Sequence, residues 1–162
     1  MVGAVATRLY SPERATQELD IVVRAEEAEA VRQALSEAGF EHQGELSIGG
    51  SSWLYAEGAP VDVVEMAEPW LAGALTEARR NLDPQGFPVL PFRYLVLMKF
   101  QAGRVQDLAD VTRMLGQASE DLLDSVRELF VQLLPEEMED LESLIALGRL
   151  EMGPQDFMIR RS

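Results

Sequence analysis

The segment 14–23 constrains the fold most, because it places two carboxylates two positions apart on an apolar stretch. Its Leu, Ile and Val content predicts a buried β-strand over residues 18–23. Side chains alternate between the two faces of a strand, so Glu18 and Asp20 project from the same face. Two neighbouring anions at the end of an apolar strand are costly unless a cation or hydrogen bonds hold them. The pair predicts a metal site, and a solvated or arginine-paired strand end is the alternative.

Composition limits the chemistry of such a site. The chain has 162 residues, of which 47% are hydrophobic, enough for one domain with a substantial core. It has no cysteine, which removes disulfides and thiolate ligands, and His42 is its one histidine. Any bound metal is therefore expected to be a hard ion held by oxygen atoms.

Charge and hydropathy limit the partners and the location. The formal charge of −14 argues against a general nucleic-acid surface, because nonspecific phosphate binding depends on Lys and Arg. Residues 118–151 hold ten acidic residues against two arginines, which is typical of a solvated helical layer. No apolar run is long enough to span a bilayer and no secretory signal is present, so we expect a cytoplasmic protein without a membrane partner.

Hydrophobic periodicity and turn residues predict an α/β (α+β) fold, in which helices flank a small mixed sheet and a helical C-terminal region follows. Strands are predicted over 18–23, 40–43, 51–57 and 61–65, with a short extended piece over 87–90. Helices are predicted over 2–10, 25–38, 69–80, 92–101, 105–115, 119–133 and 136–148. We expect one domain with two subregions: an α/β core over residues 1–90 and a helical region over 91–162 packed on it.

A third carboxylate, Asp62, lies at the start of the apolar run Val61-Asp62-Val63-Val64. It would meet Glu18 and Asp20 if the two strands pair, and three carboxylates at one sheet edge suit Mg²⁺. Two such ions would clamp the attacking and leaving oxygens of a phosphoryl or nucleotidyl transfer. The alternative is that Asp62 only ends the turn that precedes its strand.

Two other segments could contact a nucleotide. Gly3 and Ala4 lie at a predicted helix start, where free backbone N–H groups can receive a phosphate, although an ordinary flexible terminus fits the same residues. Lys99 ends an apolar helix, so its ammonium either reaches water or binds a triphosphate. Arg104 and Asp107 are spaced as a surface ion pair on the following helix.

Taken in order, these pieces resemble the minimal nucleotidyltransferases related to the AbiEii toxins of toxin–antitoxin systems. The resemblance covers about residues 2–115 and is carried by Gly3, Arg14-x-Thr16-x-Glu18-Leu19-Asp20, Val61-Asp62-Val63-Val64 and Lys99-x-x-Ala102-Gly103-Arg104-x-x-Asp107-Leu108-Ala109-Asp110. It implies a nucleotidyltransferase-like core in residues 1–90. By the same resemblance, Gly3 and Ala4 would form the turn that binds the nucleotide phosphates. Glu18, Asp20 and Asp62 would be the catalytic carboxylates that hold Mg²⁺. Lys99 would bind a phosphate, and Asp107 would be the acidic residue that follows this lysine in the family's site.

The activity that the resemblance implies is Mg²⁺-dependent transfer of a nucleotidyl group from a nucleoside triphosphate to a hydroxyl on a tRNA or a protein. An antitoxin would be a partner. Three departures leave an alternative open. Glu18 replaces the family's Asp, which displaces the carboxylate by roughly 1.5 Å, Ala4 replaces Gly or Ser, and the family's preceding helix and strand have no counterpart before Met1.

The lack of a counterpart to the family's first helix and strand has two explanations. The sequence begins at an internal start codon, or the protein is a reduced relative of the family. In the second case it would be a non-catalytic binding or interaction protein, and its open sheet edge would pair with a second copy as a homodimer. An acidic antitoxin-like partner with a helical tail is a third interpretation, which the predicted sheet disfavours.

Overall fold

A computed structural model describes residues 19–56, 58 and 60–153 of the chain. Those residues form four β-strands: β1 (Leu19–Arg24), β2 (Glu41–Glu45), β3 (Gly50–Leu54) and β4 (Val61–Met66). They also form six α-helices: α1 (Ala28–Glu37), α2 (Leu71–Ala78), α3 (Phe92–Ala102), α4 (Val105–Gln117), α5 (Glu120–Leu133) and α6 (Met138–Met152). Single 3₁₀ turns, Ala25–Glu27 and Pro135–Glu137, lead into α1 and α6.

These elements confirm the predicted fold class, an α+β arrangement with a small mixed sheet and a helical C-terminal region. Each predicted strand lies within a few residues of an observed one. The extended piece over 87–90 forms no strand, although an isolated bridge joins Leu82 to Pro88. The predicted helix over 2–10 lies outside the described residues.

By their contacts, the described residues form two compact units, 19–91 and 92–153. The first unit contains the sheet together with α1 and α2, and the second contains α3 to α6. The carboxylates of β1 and β4 therefore belong to the first unit, and Lys99 and Asp107 to the second.

The sheet of the first unit has the strand order β1-β4-β3-β2. β1 runs parallel to β4, whereas β3 is antiparallel to both β4 and β2. The chain thus leaves β1, forms α1 and the β2–β3 hairpin, and returns to place β4 beside β1. This crossover brings two acidic strands, distant in sequence, to neighbouring positions.

Helix α1 lies on the sheet face that carries the buried side chains of Val63 and Trp53. Arg32 of α1 donates to Glu65 of β4 at 2.8 and 2.9 Å, and to Glu45 of β2 at 2.9 and 3.0 Å. One guanidinium therefore ties the helix to two strands. The opposite sheet face carries Asp62.

In the second unit, the four helices enclose an apolar core, and arginine–glutamate ion pairs join α5 to α6 at the surface. Ser119 caps α5, since its Oγ accepts a hydrogen bond from the Leu122 N–H. Arg127 of α5 donates to both carboxylate oxygens of Glu142 on α6, at 2.6 and 3.0 Å. The largest fully buried side chains of this core are Leu95, Leu97, Met114, Leu115, Leu123, Phe130 and Leu141.

Candidate functional site

Asp20 and Asp62 occupy the same rung of the sheet, because they are register partners in the parallel pair β1–β4. Partners in register project from the same face, and neighbouring strands lie about 4.8 Å apart. The pairing on which the predicted metal site depended is therefore present for these two carboxylates. Leu19 with Val61, and Ile21 with Val63, flank them along the strands on the opposite face.

Asp62 lies at the centre of a polar row that crosses three strands. Because β4 runs between β1 and β3, its neighbours are Asp20 on one side and Ser52 on the other. All three side chains are partly buried. The Asp62 carboxylate makes no hydrogen bond or ion pair with any residue that the structure describes. Carboxylate oxygens on neighbouring strands are the type of ligand that a hard divalent cation takes.

Three of the predicted site residues, Gly3, Ala4 and Glu18, lie outside the described residues. Their predicted roles in phosphate and metal binding stay predictions. Within residues 19–56, 58 and 60–153, no group of three or more His, Cys, Asp or Glu side chains is arranged to hold a metal ion. The described part of the site is therefore a carboxylate pair with a neighbouring hydroxyl.

Lys99 is buried, with 6% of its surface exposed, so of the two alternatives for its ammonium the structure excludes contact with bulk water. Its Nζ lies 3.0 Å from Oδ2 of Asp110 and 3.4 Å from Oδ1 of Asp107. Both carboxylates are also buried, on α4, while Lys99 is on α3. The structure thus brings Lys99 of α3 into contact with both Asp107 and Asp110 of α4.

The rim of this cluster is polar. Arg104, whose side chain is more than half exposed, donates from Nε to Oδ2 of Asp107 at 2.5 Å, the predicted i, i+3 pair. Gln106 donates to Oδ1 of Asp110 at 3.2 Å. Two cations therefore match two carboxylates, and the cluster compensates its own charge.

Sequence reasoning did not assign a role to Asp110 or to Ser52. Asp110 could have been found, because it lies three positions after Asp107 and so shares its helix face. Ser52 had no local signal, since its place beside Asp62 depends on the register between β3 and β4. Long-range register of this kind is not visible in a local sequence pattern.

The remaining ionic clusters of the first unit are surface features. Hydrogen bonds from the Arg32 guanidinium hold the pKa of Glu45 below its usual range, and those bonds raise the pKa of Arg32. His42 lies 3.1 Å from the same Glu45 and packs edge-on against the Trp53 ring. These contacts join α1 to the sheet and lie on the face opposite Asp62.

A cavity of about 270 Å³ lies at the carboxyl ends of β1 and β4. Its wall includes Arg24, Glu26, Met66 and Glu68. The Arg24 guanidinium lies 2.5 Å from Glu26 and 2.7 Å from Glu27, and its hydrogen bond lowers the pKa of Glu27. The arginine charge is therefore already balanced, and the cavity offers a phosphate no excess positive charge.

Comparison with known proteins does not add to this geometry: no protein-family model matches the chain, and no curated protein sequence matches it. Among the described residues, no helix is long and apolar enough to cross a membrane.

Proposed function

We propose that this protein is a Mg²⁺-dependent nucleotidyltransferase, which transfers a nucleotidyl group from a nucleoside triphosphate to a hydroxyl of a tRNA or a protein. The proposal follows the resemblance to the AbiEii-related family, so a cytoplasmic toxin with an antitoxin partner is part of it. The observation that carries it is the in-register pairing of Asp20 with Asp62 on adjacent parallel strands.

The residues present fit a hard divalent cation. Asp20 and Asp62 supply carboxylate oxygens from one rung of the sheet, and Asp62 has no cationic partner among the described residues. Mg²⁺ is usually held by one or two carboxylates, with waters and substrate phosphates completing its octahedron. Bound there, Mg²⁺ would supply positive charge to the triphosphate. The carboxylate of Glu18 is the proposed third ligand.

In the proposed reaction, the acceptor hydroxyl oxygen forms a bond to the α-phosphorus. The bond from that phosphorus to the bridging oxygen breaks, and pyrophosphate leaves with the electron pair. The hydroxyl proton passes to a carboxylate beside the acceptor, for which Asp20 and Asp62 are the candidates. Their fixed positions on β-strands would orient this base, because strands hold side chains more rigidly than loops do.

Calorimetry with MgATP, MgCTP, MgGTP and MgUTP tests nucleotide binding, and α-phosphate-labelled nucleotides test transfer to total tRNA or to protein. The Asp62→Asn variant removes one charge at the proposed site and is expected to reduce transfer by about 100-fold or more. Asp121→Asn is the matched control, since it removes one charge from an exposed position on α5. Absence of binding by all four nucleotides to the folded wild-type protein would refute the proposal.

A second candidate is a non-catalytic interaction protein with the same fold. The observation that favours it is the pairing of Lys99, since an ammonium that contacts two buried carboxylates is not open to a triphosphate. It predicts a homodimer by light scattering. It also predicts that Asp20→Ala and Asp62→Ala leave any cellular phenotype intact. Loss of the phenotype in folded carboxylate variants would count against it.

A further inference from the structure

Strand β3 carries two consecutive serines whose surroundings differ. Ser51 is fully buried, and its Oγ accepts a hydrogen bond from Nε1 of Trp53 at 2.8 Å, on the face that α1 covers. Ser52 projects from the other face and is partly buried. Its hydroxyl makes no hydrogen bond with any residue in the described part of the chain. Ser51 therefore has a packing role, whereas the Ser52 hydroxyl has none.

Ser52 is the register partner of Asp62 across the antiparallel pair β3–β4. Directly opposite residues in such a pair have Cβ atoms about 4.5–5.5 Å apart. A serine hydroxyl can rotate about χ1, so a hydrogen bond from Ser52 to the Asp62 carboxylate is within reach without backbone movement. The partner on the other side of Asp62 is Asp20.

We propose that Ser52 is a positioning residue of the metal site, whose hydroxyl donates a hydrogen bond to Asp62. This inference rests on the proposed function. Asp62 has two carboxylate oxygens and lies between a hydroxyl and a carboxylate. A hydrogen bond that holds one oxygen toward Ser52 would leave the other available to a divalent cation on the Asp20 side.

The physical reason is the freedom of an unrestrained carboxylate. Carboxylates that bind metals are themselves hydrogen-bonded, and loss of such an outer partner typically weakens metal binding about 10- to 100-fold. The described contacts of Asp62 include no hydrogen-bond donor, and Ser52 is the side chain with a hydroxyl at the adjacent register position. The required donor is thus already in place beside the carboxylate.

The test is a titration of the full chain with Mn²⁺, in which electron paramagnetic resonance measures the concentration of free ion. Four variants are compared with the wild type: Ser52→Ala, Ser52→Thr, Ser51→Ala and Asp62→Asn. We expect Ser52→Ala to weaken Mn²⁺ binding by about 10-fold or more with an unchanged urea midpoint. Ser52→Thr keeps the hydroxyl on a residue that suits a strand and is expected to bind like the wild type.

Ser51→Ala is the matched control, because it removes the neighbouring hydroxyl from the opposite face. It is expected to lower the urea midpoint, through loss of the buried bond from Trp53, and to leave Mn²⁺ affinity unchanged. If Ser52→Ala binds Mn²⁺ as tightly as the wild type while Asp62→Asn loses binding, the role of Ser52 is overturned and the proposed metal site is not. Failure of threonine to restore affinity, or an equal loss in Ser51→Ala, would also overturn it. A wild-type protein that binds no Mn²⁺ would overturn both this inference and the proposed metal site.

Discussion

The contact between Gly148 of α6 and Gly116 of α4 gives the sharpest prediction for stability. The backbones approach so closely that a Cβ built on Gly148 would lie 2.1 Å from the Thr112 carbonyl oxygen and 2.8 Å from the Gly116 nitrogen. Real Cβ atoms essentially never come within 3.0 Å of another heavy atom, so Gly148→Ala must part the helices by about 0.9 Å. Both obstructing atoms belong to the backbone, so no side-chain rotation can relieve the clash.

The magnitude follows from two opposed terms. Overpacking of a well-packed interior costs about 1–3 kcal/mol, and a separation near 1 Å forfeits up to about half of the dispersion energy of each affected contact. The overpacking cost at Gly148 is expected to lie at the upper end of that range, because Val111, Leu115 and Ile145 are buried on the same two helices. Alanine returns about 1 kcal/mol through its higher helix propensity. We therefore expect a net loss of about 2 kcal/mol, or roughly 4–8 °C in Tm for a chain of this size.

Urea denaturation followed by circular dichroism at the helical band measures this change. Ala146→Gly is the control: Ala146 is exposed on the same helix, so its substitution is expected to cost about 1 kcal/mol through propensity alone. The double variant Gly116→Ala/Gly148→Ala should cost less than the sum of the two single variants, because the first substitution already separates the helices. A stabilised Gly148→Ala variant would show that propensity prevails and that the helices are not in contact through their backbones.

Three further predictions concern the strands, the surface ion pairs and the buried lysine. Gly50→Ala should lower the urea midpoint more than Gly86→Ala: both have positive φ, but a Cβ at Gly50 would lie 1.9 Å from a β4 carbonyl oxygen, whereas Gly86 has nothing within 4 Å. The bond from Arg32 lowers the pKa of Glu45, so its stabilisation is present above the ordinary Glu pKa and is lost as pH falls. The stability gap between wild type and Glu45→Gln should therefore be present at about pH 7 and close below about pH 4 in urea titrations; a constant gap would contradict this. Lys99→Met should cost about 3–5 kcal/mol in the same assay, because it leaves two buried carboxylates without their ammonium; a cost near zero would show that the cluster is hydrated.

Local pattern was enough to place most of the described elements. Acidic residues in the first turn, an apolar stripe and the glycine that follows predict a helix over 25–38, and the structure has a 3₁₀ turn over Ala25–Glu27 followed by the α-helix Ala28–Glu37. Strands bounded by glycine turns were placed within a few residues. These signals come from period, turns and caps, which act over a few positions and are read directly from sequence.

Features that depend on distant contacts could be predicted only in part. From the sequence, pairing of β1 with β4 is only a condition of the predicted metal site, and the match of Asp20 to Asp62 depends on the crossover through α1 and the hairpin. Ser52 joins that row through a second register, between β3 and β4. A shift of one residue in either register would place the side chains of the shifted strand on the other face of the sheet. Neither register can be read from the local composition of the sequence.

Charge compensation distinguishes the cluster around Lys99 from the Asp20–Asp62 pair, which the resemblance assigns to one site. At Lys99, an ammonium lies 3.0 Å from the buried Asp110 carboxylate, so a phosphate would first have to displace that partner at the cost of leaving a buried anion. At Asp62, no described residue supplies a cation, and a second aspartate lies one strand away. A bound cation would therefore lower the free energy of the Asp62 site, whereas an anion gains nothing from Lys99 until Asp110 is released. In the proposed function, metal binding is therefore assigned to the sheet, and phosphate binding at Lys99 would first require the release of Asp110.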